Sequence, residues 1–527
     1  MKQILILPFI LLHFISSAQA PIDVTHYDFK LTLNDSTDNI VGEASVTLKV
    51  LADTDRVRLN LVSRGADRQG MQVSDVSINK NQVRFVQDAS FLRIMLNEKA
   101  AKDTELTIII QYSGQPADGL IISKNKFGDR TFFGDNWPNR AQHWLPVIDH
   151  PSDKATVDFT VIAPVHYHVI GNGLRVEESL LNKRQKLTHW RETVEIPTKV
   201  MVIGAAPFSI RYSSNVNGIP IEDWVYPQNR EEGFHDYAAA SRILEFFIQH
   251  IGPYPYEKLA NVQSNTRFGG MENASNIFYY QNSVNGKADH DDLIAHEIAH
   301  QWFGNSVSET DWPHVWLSES FATYFTHIYN EYTYGVDRRK SDMLIDRKQV
   351  TDFYKKNQAP LVGPVDTTNL IGILNASSYQ KGSWVLHMLR NQVGDDAFWE
   401  GIREYYSQYK NKNASTAEFQ KVMEDAADKK LNTFFEQWAY GPGHPVLETD
   451  YKYDSKNKKL YLSVNQVQPG QVFKFKLQVG INVKGQIEAN VSEHQIDERK
   501  STITINCDSN PTDVVLDPNV NLLFERK

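Results

Sequence analysis

At 527 residues the chain is too long for one ordinary domain, and about 150 residues per domain predicts three or four. A composition of 41% hydrophobic, 11% aromatic and 23% charged residues is that of a folded globular protein and excludes disordered and collagenous chains. With 64 acidic against 55 basic residues and a net charge of −9, the chain has no electrostatic footprint for nucleic acid or anionic lipid.

Residues 1–20 read as a signal peptide. Lys2 supplies the positive start, Ile4 to Ile15 is an apolar run, and Ala18-Gln19-Ala20 is a small-residue cleavage site. A membrane anchor needs about 20 apolar residues, and this run is shorter and interrupted by Pro8 and His13. No later stretch is long and apolar enough to span a bilayer. The expectation is export to a periplasm or the medium, with no membrane span in the mature chain. Cys507 is the only cysteine, so no disulfide forms within the chain and packed cores must supply the stability. Alternation puts Cys507 on one face with Ile503 and Ile505, which predicts a small buried hydrophobe.

Residues 21–210 read as β. Tyr27, Phe29, Leu31 and Leu33 alternate with polar neighbours, and Val46, Leu48 and Val50, then Val57, Leu59 and Leu61, repeat the period of two. In the next region, 211–441, the period changes from about 234: Tyr237, Ile243, Leu244 and Phe247 share a helical face. Helix-compatible segments follow at 290–304, 316–332, 338–355, 379–393 and 416–428, the last opened by a capping box in Ser415-Thr416-Ala417-Glu418. After Gly441-Pro442-Gly443-His444-Pro445 the β period returns over 442–527, clearest in Phe473, Phe475, Leu477, Val479 and Ile481. The order is β, then mostly α, then β, with no internal repeat.

The helical region contains His296-Glu297-Ile298-Ala299-His300. Helix positions i and i+4 share a face, so both imidazoles reach one zinc ion, while Glu297 reaches a water on that metal. This is the geometry of metal-assisted hydrolysis, with Glu297 as general base. Catalytic zinc takes three protein ligands, and Glu319 is the third candidate. Asp311-Trp312-Pro313 breaks the chain between the two helices, and Trp316, Leu317 and Phe321 flank Glu319. A carboxylate in such a buried helix requires a cation or partner.

These residues, with eighteen positions between His300 and Glu319 and with Gly269-Gly270-Met271-Glu272-Asn273 upstream, resemble the zinc aminopeptidase family that includes aminopeptidase N and leukotriene hydrolase. Trp144-Leu145-Pro146 with Asp149 to Lys154, and Tyr379-Gln380-Lys381-Gly382, are similar to two further motifs of that family, in its order. The resemblance implies a multidomain α+β fold: an N-terminal all-β saddle-like domain, a thermolysin-like α-rich catalytic domain and a C-terminal β-sandwich. It implies one zinc per chain, Tyr379 as donor to the oxyanion, Glu272 as anchor for a free α-ammonium, and a Gly269–Asn273 strand along which substrate backbone pairs. The implied partners are peptides with a free N-terminal amine, losing neutral or basic residues one at a time; nothing in the sequence specifies an oligomeric state.

Three positions depart from the family. Leu374 and Ile371 stand where leukotriene hydrolase has a tyrosine and an aspartate, which argues against epoxide hydrolysis. Trp137 falls where the family has a second amine anchor, Gln or Glu, and Ser318 replaces the usual asparagine before Glu319. The resemblance further implies a short form lacking the helical C-terminal domain that roofs many relatives, and so a more open cleft. Two alternatives share the scaffold. A thermolysin-like zinc endopeptidase has no use for Glu272 in its setting, and a non-catalytic peptide-binding protein would be expected to lose Glu297, a ligand or Tyr379, all of which are present.

Overall fold

The structure, a computed structural model, describes residues 22–486 and 489–527. The expected signal peptide, residues 1–20, lies outside the described residues. Among those described, no helix is long and apolar enough to cross a membrane.

The N-terminal region is built on an eight-stranded sheet. Near its middle, Ile22–Thr32 runs antiparallel to Ile40–Val50 and parallel to Lys154–Pro164. Tyr27, Phe29 and Leu31 are fully buried, as their alternation predicts, and Phe29 sits opposite Phe159 with ring centroids 5.4 Å apart. Val24 and Tyr27 are both buried although three positions apart; the pairing slips between Val24 and His26. The extra residue of a β-bulge flips the face and so reconciles the two. Sheets of three and four strands complete the region.

The middle region opens with a five-stranded sheet in the order 209–216, 219–225, 259–264, 276–280, 270–271. Apart from the Gly269–Asn273 strand that the resemblance implies, the sequence reading gives no strands between 211 and 280. Every residue of Leu259–Ser264 is buried, as are the first four of Asn276–Tyr280. A strand covered on both faces has no reason to alternate, so the period-two signal is missing. The short strand Gly270–Met271 forms one edge, antiparallel to Asn276–Tyr280.

Beyond this sheet the expected helices are present. They include Asp291–His300, Trp316–Tyr334, Val336–Tyr354, Gly382–Val393 and Thr416–Ala427. The last carries the Ser415–Glu418 capping box. In Trp316–Tyr334 every residue from Trp316 to Asn330 is buried, so this helix is covered on every side and runs through the core. Phe321 on it packs on Phe303 at 4.6 Å and Phe419 at 5.1 Å between centroids.

The C-terminal region consists of a four-stranded and a three-stranded sheet. Phe473, Phe475, Leu477, Val479 and Ile481 are buried, and so are Ile503, Ile505 and Cys507.

Candidate active site

The helix Asp291–His300 puts His296 and His300 one turn apart, with their Nε2 atoms 3.1 Å from each other. Glu319, in the first turn of Trp316–Tyr334, brings Oε2 to 3.4 Å from His300 Nε2 and 3.9 Å from His296 Nε2. Tetrahedral zinc with bonds of about 2.0–2.2 Å separates its ligand atoms by roughly 3.3–3.6 Å, so the three residues fit that ion. The neighbouring carboxylates suit it as well. Glu272, Glu297 and Glu319 are all buried around the same small cavity, and buried carboxylates need a cation.

His300 is oriented from behind. Its Nδ1 lies 3.2 Å from the Phe303 carbonyl and 3.2 Å from Ser318 Oγ, which turns Nε2 toward Glu319. Ser318, the departure from the family pattern, thus touches a metal-site histidine. Gly304 makes room: at φ 115°, a β-carbon there would collide with Ser318 Oγ.

Glu297 faces the edge strand. Burial pushes its carboxyl well above the usual range, with Glu272 and Glu319 adding to the rise against the pull of His300. Glu272 is raised as well, chiefly by burial, and its Oε1 has no hydrogen-bond partner among the described residues. Its main-chain carbonyl accepts from Gln301 Nε2 at 2.9 Å and from Asn305 Nδ2, while Gln301 Oε1 accepts from the Ser275 N–H at 2.9 Å. Gln301 and Asn305 therefore clamp the Glu272 turn to the end of the metal-binding helix. Sequence reasoning missed both; a buried amide directly after the HExxH motif was the available signal.

Lys154, from the first sheet, reaches the same loop. Its Nζ donates to the carbonyls of Asn305 at 3.1 Å, Ser306 at 2.7 Å and Lys412 at 3.0 Å.

Tyr379 lies in a five-residue π turn, Ser377–Lys381, that leads into Gly382–Val393. Its ring stacks on His296 with centroids 6.0 Å apart and planes at 13°. Burial, then the charge of Glu319, raises the phenol well above its ordinary pKa, so it keeps its proton and can donate.

The cavity is lined by His296, His300, Glu319, Glu297, Glu272, Tyr379, Gly270 and Met271. Gly269 and Asn273, expected to touch substrate, are not in that lining; Asn273 is fully buried. Trp137, Phe268 and Leu374 complete the wall. Trp137 packs edge-on to Trp312 at 6.0 Å, so an aromatic surface occupies the place expected for a second polar anchor. Phe268 had no sequence signal beyond its position before the glycine pair.

The Peptidase M1 N-terminal domain matches residues 23–200, and the Peptidase family M1 domain matches residues 235–438. Among relatives, glutamyl aminopeptidase of Sus scrofa is 24% identical over 399 residues, 72% of this chain and 42% of that protein. Probable aminopeptidase 2 of Sulfurisphaera tokodaii is 25% identical over 485 residues, 88% of this chain and 58% of that protein. The chain thus spans about half the length of the curated relatives it matches. In fold it is similar to the crystal structure of a mutant M1 zinc metallopeptidase from Deinococcus radiodurans, with a TM-score of 0.68 and 23% identity over 81% of this chain and 96% of that one. With both family domains matched in order and the zinc-type triad assembled within the second of them, the chain belongs to peptidase family M1.

Proposed function

We propose that the chain is an exported zinc aminopeptidase that removes single residues from the free N-termini of peptides. His296, His300 and Glu319 would hold the ion, which when bound supplies a Lewis acid and an activated water. Glu297, beside that triad, accepts the proton of the attacking water and passes it to the leaving amine. Tyr379, protonated and stacked on His296, donates to the oxygen on which charge develops. Gly270 lets the substrate backbone approach the base.

The observation that carries the reading is the buried, unpartnered Oε1 of Glu272 in the same cavity as the triad. A carboxylate fixed there binds an α-ammonium by a charge-assisted hydrogen bond and so anchors a peptide by its first residue. Trp137, Phe268, Met271 and Leu374 wall the cavity and no Lys or Arg does, which supports an uncharged, apolar first residue over the acidic residue in the name of the mammalian relative. Export rests on the reading of residues 1–20.

Aminoacyl-coumarin substrates and peptides with free or acetylated N-termini, assayed with and without a zinc chelator, test this. Chelator-sensitive release of single residues from free amines is expected. Equal cleavage of acetylated peptides would favour an endopeptidase. N-terminal sequencing of secreted protein, expected to begin at Pro21, tests the export.

A further inference from the structure

A second cavity, of about 360 Å³, lies where the end of the helix Val336–Tyr354 meets the Pro442–His444 turn, the loop at 468–473 and the last strand. It shares no lining residue with the zinc cavity, and its size is within the range of small-molecule sites, about 300–1,000 Å³. Tyr354, Phe473, Val446, Pro442 and Pro469 give it apolar walls. His444, 5% exposed, lines it with both ring nitrogens lacking a hydrogen-bond partner among the described residues. The Glu525 carboxylate lies 3.5 Å from His444 Nε2 and pairs with no Lys or Arg among the described residues.

The Nδ1 of this buried imidazole has no partner among the described residues and its Nε2 meets only the Glu525 carboxylate, at a long 3.5 Å, so the ring calls for a further partner. Burial holds His444 below the usual histidine pKa against the opposing hydrogen bond and charge of Glu525. A carboxylate that pairs with no Lys or Arg among the described residues, beside an imidazole, suits a donor-rich cation. The aromatic and proline walls suit an apolar group attached to it. Lys355, also on the lining and tied to the exposed Asp352 at 2.7 Å, adds a positive charge for an anionic end. Opposite charges across an apolar cavity match a zwitterion.

We propose that this cavity binds a free α-amino acid with an apolar side chain, its ammonium on Glu525 and His444, its carboxylate toward Lys355, and its side chain against Phe473 and Tyr354. Tyr354 links the site to the reaction centre. Its hydroxyl lies 3.0 Å from Ser377 Oγ and accepts from Lys381 Nζ at 3.2 Å, the two ends of the π turn that carries Tyr379. Its ring meets that of His444 edge-on at 5.8 Å. An amino acid seated on His444 therefore acts on the turn that aims the catalytic tyrosine. The feedback role rests on the proposed aminopeptidase activity, since such amino acids are its products; the binding does not.

Isothermal titration of the zinc-loaded full chain with L-leucine tests the site. Two binding events are expected, one in the zinc cavity and one that Glu525→Gln weakens at least tenfold. Lys355→Gln should weaken the same event for leucine and leave leucinamide unaffected. Both positions are partly exposed, and neither belongs to the catalytic machinery. Identical isotherms for wild type and Glu525→Gln would overturn the proposal and leave the cavity to solvent. Leucinamide binding there as tightly as leucine would overturn the free amino acid in favour of a peptide N-terminus. At saturating peptide, leucine should change kcat in wild type and not in Glu525→Gln; binding without that change would overturn the link through Tyr354. If the chain turned over no peptide, the event sensitive to Glu525→Gln would still register, so the two readings fail separately.

Discussion

Glu297 occupies the space beside Gly270: a β-carbon at position 270 would collide with the Glu297 carboxyl group. The edge strand and the base approach this closely only because residue 270 has no side chain. Gly270→Ala should therefore displace Glu297 and lower kcat/KM by about 100-fold, the cost of a misplacement near 1 Å. Zinc content and Tm should stay close to wild type. A variant with normal turnover would refute the contact.

Glu272→Gln keeps the shape of the side chain and removes its charge. Loss of a charge-assisted hydrogen bond of about 1.5–3 kcal/mol predicts a fall in kcat/KM of roughly 10- to 150-fold on free peptides. Acetylated peptides, which lack the ammonium, should change little. An equal loss on both would assign Glu272 to structure instead.

Ser318 holds His300 together with the Phe303 carbonyl. Removing an outer partner of a metal histidine costs about 10- to 100-fold in affinity. Because one partner remains, Ser318→Ala should weaken zinc binding by about tenfold, measured by competition with a chromophoric chelator. Unchanged affinity would show that the carbonyl alone suffices.

Three buried carboxylates around one cavity predict that the metal stabilises the fold. Chelation should lower Tm as well as abolish turnover, and zinc at 100 times its Kd should restore about 2.7 kcal/mol. Differential scanning calorimetry at several zinc concentrations reads this directly; a Tm indifferent to zinc would contradict it.

Lys154 gives a pH signature. Burial, then the charge of Lys199, brings its ammonium down to about 7, below the roughly 10.4 of an unfolded lysine. Between those values the unfolded chain binds more protons than the folded one, so this contribution to stability grows as pH rises from about 7 and is lost as pH falls back through the window. In Lys154→Met that slope should vanish. The difference in unfolding free energy between wild type and variant, followed from pH 7 to 10, is the measurement, and a flat difference would refute it.

Much of the metal site was legible because it rests on one short-range rule: His296 and His300 share a face four residues apart, and any helix realises that. Glu319 was reachable through the apolar company of Trp316 and Phe321. The contacts of Gln301 and Asn305 with the Glu272 carbonyl were not, since amides carry no periodic signal and their partner lies about thirty positions away. Alternation exposed the first sheet, whose strands carry one covered face, and failed for Leu259–Ser264, covered on both. Gly269 and Asn273 came in with their motif, and a motif does not say which of its members point into the cavity.

The hydrogen bonds of Lys154 bear on how the chain can be divided. Its ammonium binds the Asn305 carbonyl, and the Asn305 amide binds the Glu272 carbonyl, so a strand of the first sheet stands two links from the expected amine anchor. The segments matched by the two family domains are in that sense one machine. A fragment beginning near residue 210 would keep every metal ligand yet lose the brace behind Glu272, and exchanging N-terminal regions between relatives should alter substrate affinity before it alters zinc.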